Sequence, residues 1–333
     1  MTIESELQVE LLLPQSVLAG AAQACPSALQ RLLRHAHSQT ALVGDESAWC
    51  CSLFGVAQQQ DWPLAPFASA ADGLEADQAY WLCAAPVHLL LMRDSFSVTD
   101  AAADSLDLAQ AQQLTQALNA HFAADGLRFF APQCDRWYLR LAHPPALRTT
   151  PLAEALGRDV QKSLPQGADA LQWNARLNEM QMLLHGHALN HEREQGGLLP
   201  VNSVWLWGGG VRSAGAPQPL HAWAHDAGLR GLALAHGGSA ARLPDSAAAW
   251  LPQAQGGRHV LMLERARQEE SQAALQRIEA DWLMPLLQAL RDGVVHSLTL
   301  HLAHAGQVRA FHLRRGDLRK FWRRARPLGD YLG

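Results

Sequence analysis

Lysine is almost missing: Lys162 and Lys320 are the two lysines among 333 residues. Positive charge therefore rests on arginine, whose planar fork suits carboxylate and phosphate. The five cysteines, Cys25, Cys50, Cys51, Cys83 and Cys134, form no C-x-x-C pair. That spacing argues against a structural zinc site. An odd number at irregular intervals predicts reduced thiols rather than a disulfide frame. Long apolar runs are also missing. The stretch MTIESELQVELLLPQ has no basic start, and its apolar part is too short for a signal peptide or membrane span. A soluble, cytoplasmic protein with no membrane partner is expected. There is no G-x-G-x-x-G or Walker A loop, which leaves a dinucleotide or nucleoside triphosphate site unsupported. GVRSAG and HGGSAA each hold a serine in a small-residue loop, but neither is a G-x-S-x-G elbow. Internal repeats, low-complexity tracts and heptads are absent as well.

What is present is a chain that is 48% apolar and 17% charged, with a formal net charge of -4. This composition predicts a substantial core and a length suited to one large α/β domain or two smaller ones. The acidic balance argues against a chain-wide grip on nucleic acid.

LQVELLLP reads as a first strand stopped by Pro14. PSALQRLLRHAHSQ has helical spacing, and DESAWCCSLFGVA reads as a helix opened by Asp45. AYWLCAAPVHLLLMRDSFSVTD suggests strands divided at Pro86. Leu106–Phe122 reads as an amphipathic helix, and LRFFAPQCDRWYLRLAHP as a hairpin. A boundary is expected in AHPPALRTTPLAEALG, giving halves 1–145 and 146–333 packed as one compact unit. Beyond it, ADALQWNARLNEMQMLLHGHALNHERE predicts one long helix, and SVWLWGG a strand running into glycines. LRGLALAHGG and RHVLMLERA predict further short strands. ESQAALQRIEADWLMPLLQALRDG predicts a helix, and HSLTLHLAHAGQVRAFHLRRGD a hairpin turning at Ala305–Gly306. Apolar strands alternating with helices imply an α/β fold: a largely parallel sheet with helices on both faces, closed by a C-terminal hairpin.

The densest chemistry lies in LLHGHALNHEREQGGLLPVNSVWLWGGG. His185 and His187 are two apart and point to different sides of a regular helix, which speaks against a shared metal. A strand ending in Gly208–Gly210 fits either an anion site beyond a strand end or a tight turn with core tryptophans. The run Arg314–Arg326 fits docking to an acidic protein partner or nucleic acid, or a solvated helix face anchored by Phe321 and Trp322. His301 and His312 are candidate cross-strand neighbours.

The segment from Gly157 to Gly210 resembles archaeal-type cofactor-independent phosphoglycerate mutases, of the alkaline-phosphatase superfamily. The matching residues are Gly157–Arg158, Leu164–Pro165, Gly167, His187, Asn190, Arg193, Pro200, Asn202, Trp205, Trp207, Gly208 and Gly210. IEADWLMPLL resembles a further helix of these enzymes. AYWLCAAPVHLLLMRD, LNAHFAADGLRFF, RWYLRL, TTPL and LNEMQMLLHGHALN look like landmarks of the bacterial "regulatory protein, RpfE type" family, itself similar to the mutases. Cys83 and Ala85 stand where that family favours Arg and Asp.

The resemblance implies an alkaline-phosphatase-like fold and, in the mutases, two divalent metals with a serine nucleophile. Two close metals need clustered Asp and His ligands. VELLLPQS carries no acid after the first strand, and HVLMLERARQEE offers Glu264 and arginines where the mutases have an Asp…His run. An arginine there repels a cation. The expectation is a degenerate, non-catalytic regulatory or anionic-metabolite-binding protein without metal or other cofactor. A phosphorylated small molecule would be held by Arg158, His187, Asn190, Arg193 and Asn202. The alternative is an active metal-dependent phosphoryl-transfer enzyme using Glu179, His185, His187 and Glu264, with Ser203 or Ser213 as nucleophile.

Overall fold

Thirteen strands are found among the described residues of the computed structural model, which are 6–18, 27–39, 41–75, 77–91, 96–101, 106–157, 159–265, 271–320 and 322–332. They are β1 (Leu7–Leu13), β2 (His37–Ser38), β3 (Leu42–Val43), β4 (Tyr80–Leu91), β5 (Phe96–Asp100), β6 (Arg128–Phe130) and β7 (Tyr138–Leu141). The series continues with β8 (Ser203–Gly210), β9 (Leu220–Ala224), β10 (Ser239–Ala241), β11 (Gly257–Met262), β12 (Ser297–His304) and β13 (Gln307–Arg314). The chain divides into two units, Val56–Ala214 and a unit built from Met1–Gly55 with Gly215–Gly333. The boundary expected near residue 145 therefore falls inside one unit. The reason is strand pairing: β1 lies between β11 and β12, so the start of the chain is locked into its C-terminal part.

The first unit carries the order β10-β9-β11-β1-β12-β13-β2, with β3 also paired to β13. From β10 to β12 the neighbours are parallel, and β13 returns antiparallel. This is the expected largely parallel sheet, flanked by helices. Alternation along β1 sends Leu7, Val9, Leu11 and Leu13 into one core, where they meet Leu29, Leu32 and Leu33 of the helix Ser27–His35. Trp282, Leu286, Leu287 and Leu290 join the same core. Each leucine buried this fully contributes about 1.5–3 kcal/mol. The helical run Ser271–Asp292 widens into a π turn at Glu279–Leu283, just before Pro285 withdraws a backbone donor. Glu279 Oε1 accepts from Ser27 Oγ and Ala28 N at 2.9 and 2.7 Å, capping the Ser27–His35 helix.

The other alternate of β1 carries Gln8 and Glu10 before the buried Leu12. Glu10 receives Arg258 Nε at 2.6 Å and pairs with His301 Nε2 at 2.9 Å. Burial pushes its carboxyl up, but His301 and Arg258 outweigh burial and hold it at about 2. The Trp49 ring lies 5.1 Å from His301. His301 and His312 are not directly opposed: His301 faces Ala310, and His312 faces Thr299. The C-terminal hairpin turns where expected, with Ala305 at φ 47 and Gly306 at φ 72, the left-handed pair that a two-residue hairpin favours.

Two readings of local sequence are corrected in this unit, and one strand is added. LRGLALAHGG is the helix Ala227–Ala235, not a strand, with Asp226 accepting from Leu229 N at 2.8 Å. Its Leu229, Leu232 and Ala233 are buried at helical spacing, which outweighs two glycines. LHAWA, unassigned from sequence, is β9. The arginine-rich stretch is a short 3-10 turn at Arg315–Arg319 rather than a helix face. Trp322 is 66% exposed rather than anchored in the core, and Phe321 lies outside the described residues.

The second unit is an antiparallel sheet built on β4, which pairs with β5 and β7 on one side and β8 on the other. β6 and β7 form the expected hairpin pairing, Phe129 facing Leu139. Pro86 does not divide β4. Ala84 N points to the β7 side, bonding Trp137 O at 2.8 Å, so the position two residues on faces the same way. There the β7 register ends at Cys83 and the β5 register starts at Val87. The missing N–H of Pro86 thus falls in the gap between two partner strands, where no ladder bond is lost.

Candidate functional site

The histidine-rich segment is two helices, Ala170–His185 and Ala188–Gln195, instead of one. Gly186 ends the first. His187 is extended (φ -76, ψ 134) and caps the second, its Nδ1 accepting from Leu189 N at 3.2 Å. Accepting at Nδ1 places the ring proton on Nε2.

Asn190 and Arg193 share the next face, and both are buried, at 1% and 2% exposure. Asn190 Nδ2 donates to Leu184 O at 2.7 Å and Val201 O at 2.9 Å, while its Oδ1 accepts from Val201 N at 2.9 Å. Arg193 Nε donates to Leu199 O at 3.0 Å and its Nη1 to Gln110 Oε1 at 3.1 Å. Together they tie residues 198–201 along the helix and deliver the chain into β8. Asn202 continues the work on β4: its Oδ1 accepts from Leu89 N at 2.7 Å and its Nδ2 donates to Leu89 O at 3.0 Å.

The same device recurs twice more in this unit. Asn119 holds the N–H and C=O of Phe129 at 2.7 and 2.9 Å, and Gln59 those of Val211 at 3.0 and 2.8 Å. Four carboxamides thus each pair with both backbone groups of one residue, imitating a strand neighbour. The sequence assigned Asn190, Arg193 and Asn202 to an anion. The structure gives the amides of Asn190 and Asn202 to backbone, and Arg193 Nε and Nη1 to Leu199 O and Gln110 Oε1. Arg158 lies outside the described residues.

The motif glycines have steric duties. Gly167 sits at φ +123, and an added methyl collides with the Ala146 carbonyl oxygen. Gly167→Ala is expected to cost about 2–4 kcal/mol through strain and overpacking. Thermal unfolding of the variant checks this, and an unchanged midpoint counts against it. A methyl on Gly209 meets Tyr80 and one on Gly210 meets Pro63, while Gly209 N donates to Asp61 Oδ2 at 3.2 Å. Trp205 Nε1 donates to Thr150 O at 2.8 Å. β8 is therefore antiparallel and closely packed, not the end of a parallel strand open to an anion.

Glu179, His185 and His187 belong to no group of three or more His, Cys, Asp or Glu side chains that could hold a metal ion among the described residues. Glu179 and His185 are exposed, and the Glu179 carboxylate pairs loosely with His121 at 3.8 Å. Ser203 is 3% exposed inside β8.

The first unit contains the geometry that sequence reasoning located only in part. In its parallel sheet, β9 connects outward to β10, while the adjacent β11 connects the other way, across β1, to β12. Open parallel sheets with such a reversal bind ligands beyond the carboxyl ends of their strands. His225 and Asp226 follow β9, Glu264 and Arg265 follow β11, and Gln15 follows β1. Glu46, in the first turn of the helix Glu46–Leu53, joins them. Arg265 Nε and Nη2 both reach Glu46 Oε2, at 2.7 and 2.6 Å, and Gln15 N donates to Oε1 at 3.1 Å. His225 Nδ1 lies 3.4 Å from Glu264 Oε1, and Arg242 Nη2 is 3.4 Å from the same ring nitrogen.

Burial opposes charge on Arg265, but Glu46 and Asp226 more than restore it. Burial also drives the Cys50 thiol well above its ordinary value, with Asp226 and Glu46 adding to the effect, so Cys50 is no thiolate nucleophile. The donor set does not fit two divalent metals. A guanidinium holds the carboxylate such a cation would require, and it repels a second positive charge. No group of three or more His, Cys, Asp or Glu side chains among the described residues is arranged to hold a metal ion.

No protein-family model matches the sequence. The chain is 25% identical over 125 residues to a probable 2,3-bisphosphoglycerate-independent phosphoglycerate mutase of Geobacter sulfurreducens, covering 37% of this chain and 31% of that protein. It is 25% identical over 150 residues to the 2,3-bisphosphoglycerate-independent phosphoglycerate mutase of Methanosarcina mazei, covering 44% and 36%. The match thus spans about a third of the length of these curated relatives. Among solved structures, the PH0037 protein of Pyrococcus horikoshii superposes with a TM-score of 0.54 at 10% identity, over 93% of this chain and 88% of that one. The two share a fold. Among the described residues, no helix is long and apolar enough to cross a membrane.

Proposed function

We propose that this chain is a non-catalytic protein of phosphoglycerate-mutase-like fold that binds an anionic, phosphorylated small molecule in a regulatory role. The likeness to RpfE-type regulatory proteins is part of this reading. The observation that carries it is Arg265 bound to Glu46 at the carboxyl end of β11. Beside that pair, Arg242 offers a fork for phosphate oxygens, Arg265 keeps its Nη1 outside the two contacts to Glu46, and His225 is a further donor when protonated. Asn190, Arg193 and Asn202 act as scaffold in this reading. In the other unit, His187 caps its helix through Nδ1, which accepts from Leu189 N.

The test is a thermal-shift titration with 3-phosphoglycerate in the presence of chelator. A saturable rise in the unfolding midpoint, lost in Arg265→Gln, is expected. No rise, or a rise that requires added manganese, overturns the proposal in favour of a metal-dependent phosphoryl-transfer enzyme.

A further inference from the structure

The stretch Arg314–Arg326 holds seven basic residues and one acid, Asp317, a net of +6. The chain's total is -4, so all other residues together carry -10. A solvated helix face accounts for such a run when the segment is helical and its aromatics are buried. Among the described residues the segment is not an α-helix, and Trp322 is not buried. The backbone forms one short 3-10 turn at Arg315–Arg319, and Trp322 is 66% exposed. Arg314, Arg315, Arg319, Arg324 and Arg326 are exposed beside it in sequence.

The segment is nevertheless fixed in place. Asp317 is spent internally, accepting from Arg314 N at 2.8 Å and pairing with Lys320 and His37 at 2.5 and 3.0 Å. Arg323 Nη1 donates to His35 O at 2.8 Å and Ala36 O at 2.5 Å at the end of the Ser27–His35 helix, and Arg34 returns a bond to Arg323 O. Beyond it, Leu328 is buried and Tyr331 packs edge-on against Phe311 at 6.0 Å. The strap is pinned before, within and after its exposed side chains.

We infer that Arg314, Arg315, Arg319, Trp322, Arg324 and Arg326 form a docking surface for an acidic peptide segment of a partner protein. Arginine forks bind carboxylates through paired hydrogen bonds. An exposed tryptophan among arginines has the make-up of an interface hot spot. A strap already held in position loses little conformational entropy on binding. The acidic remainder of the chain disfavours an extended polyanion such as nucleic acid, which needs many phosphate contacts along its length.

Fluorescence anisotropy tests this with a fluorescein-labelled peptide of glutamates around one phenylalanine, titrated with the full chain. Oligothymidylate and phosphatidylserine vesicles are run as competitors. Saturable, salt-sensitive peptide binding is expected. It should weaken at least about tenfold in the triple variant Arg314→Gln, Arg315→Gln, Arg319→Gln, and about fivefold in Trp322→Ala. These side chains are exposed, and circular dichroism confirms that the variants fold. Failure to bind the peptide, binding unchanged in both variants, or tighter binding of oligothymidylate or vesicles overturns the inference. Arg265→Gln is expected to leave peptide binding unchanged, which separates this result from that of the proposed phosphate site.

Discussion

Asn190→Leu is expected to lower the stability of the ligand-free protein by about 3–5 kcal/mol, since it strands three buried backbone groups at about 1–3 kcal/mol each. Leucine matches asparagine in volume, so packing is little disturbed. Leu184 O, Val201 O and Val201 N lose their partner. In a unit of this size the loss corresponds to a fall in midpoint of about 10 °C. A residue serving only a ligand would leave the unliganded protein's midpoint in place. Thermal unfolding without ligand therefore separates the two roles, and a shift below about 2 °C contradicts the scaffold role.

The second large effect is acid sensitivity from His259. Its ring is 2% exposed and stacks 4.6 Å from His221. Trp223 Nε1 can only donate, and it does so to His259 Nδ1 at 3.0 Å, so the His259 proton lies on Nε2 and bonds Gln255 O at 2.8 Å. The neutral ring is fully satisfied. Protonation sets a second N–H against that of Trp223. Burial, with the neighbouring His221, lowers the group from 6.5 to about 4. Between these values the unfolded chain binds a proton that the folded chain refuses. The stabilisation is therefore complete above about pH 6.5, drains as pH falls, and has gone by about pH 4. From pH 7 to 4.5 the loss is about 2.5 kcal/mol. His259→Phe keeps the ring and removes the titration. Urea unfolding at the two pH values should show its pH-dependent loss reduced by about that amount. Superimposable pH dependences in variant and wild type contradict the assignment.

Much of the architecture is legible in sequence because it is specified locally. β1 ends at a proline, Asp45 and Asp107 cap their helices, and Ala305–Gly306 turns a hairpin. These are short-range choices of backbone angle and hydrogen bond. The break at Gly186–His187 is less visible, because a single glycine is tolerated in a helix and histidine is not a usual cap. Pro86 misleads because its effect depends on where β7 stops and β5 begins, which no local pattern records.

The roles of the candidate site residues are less legible for a related reason. A polar residue on a helix face has the same spacing whether it meets a ligand or a distant backbone. Asn202 meets Leu89, 113 positions away, and only the fold brings them together. Arg265 was legible as a positive charge in the wrong place for a metal. Its partner Glu46 stands 219 positions off and was missed. An acid in a helix's first turn is commonly just a dipole partner, so no signal marked it.

Arg265 and Glu46 form a guanidinium–carboxylate pair beyond the carboxyl end of β11, and we propose that it leaves no place there for paired metals. Interconversion of 2- and 3-phosphoglycerate, followed with added manganese, tests it most directly. No turnover above the metal-free baseline is predicted, for the wild type and for Arg265→Gln alike. Manganese-dependent turnover by the wild-type protein contradicts the account.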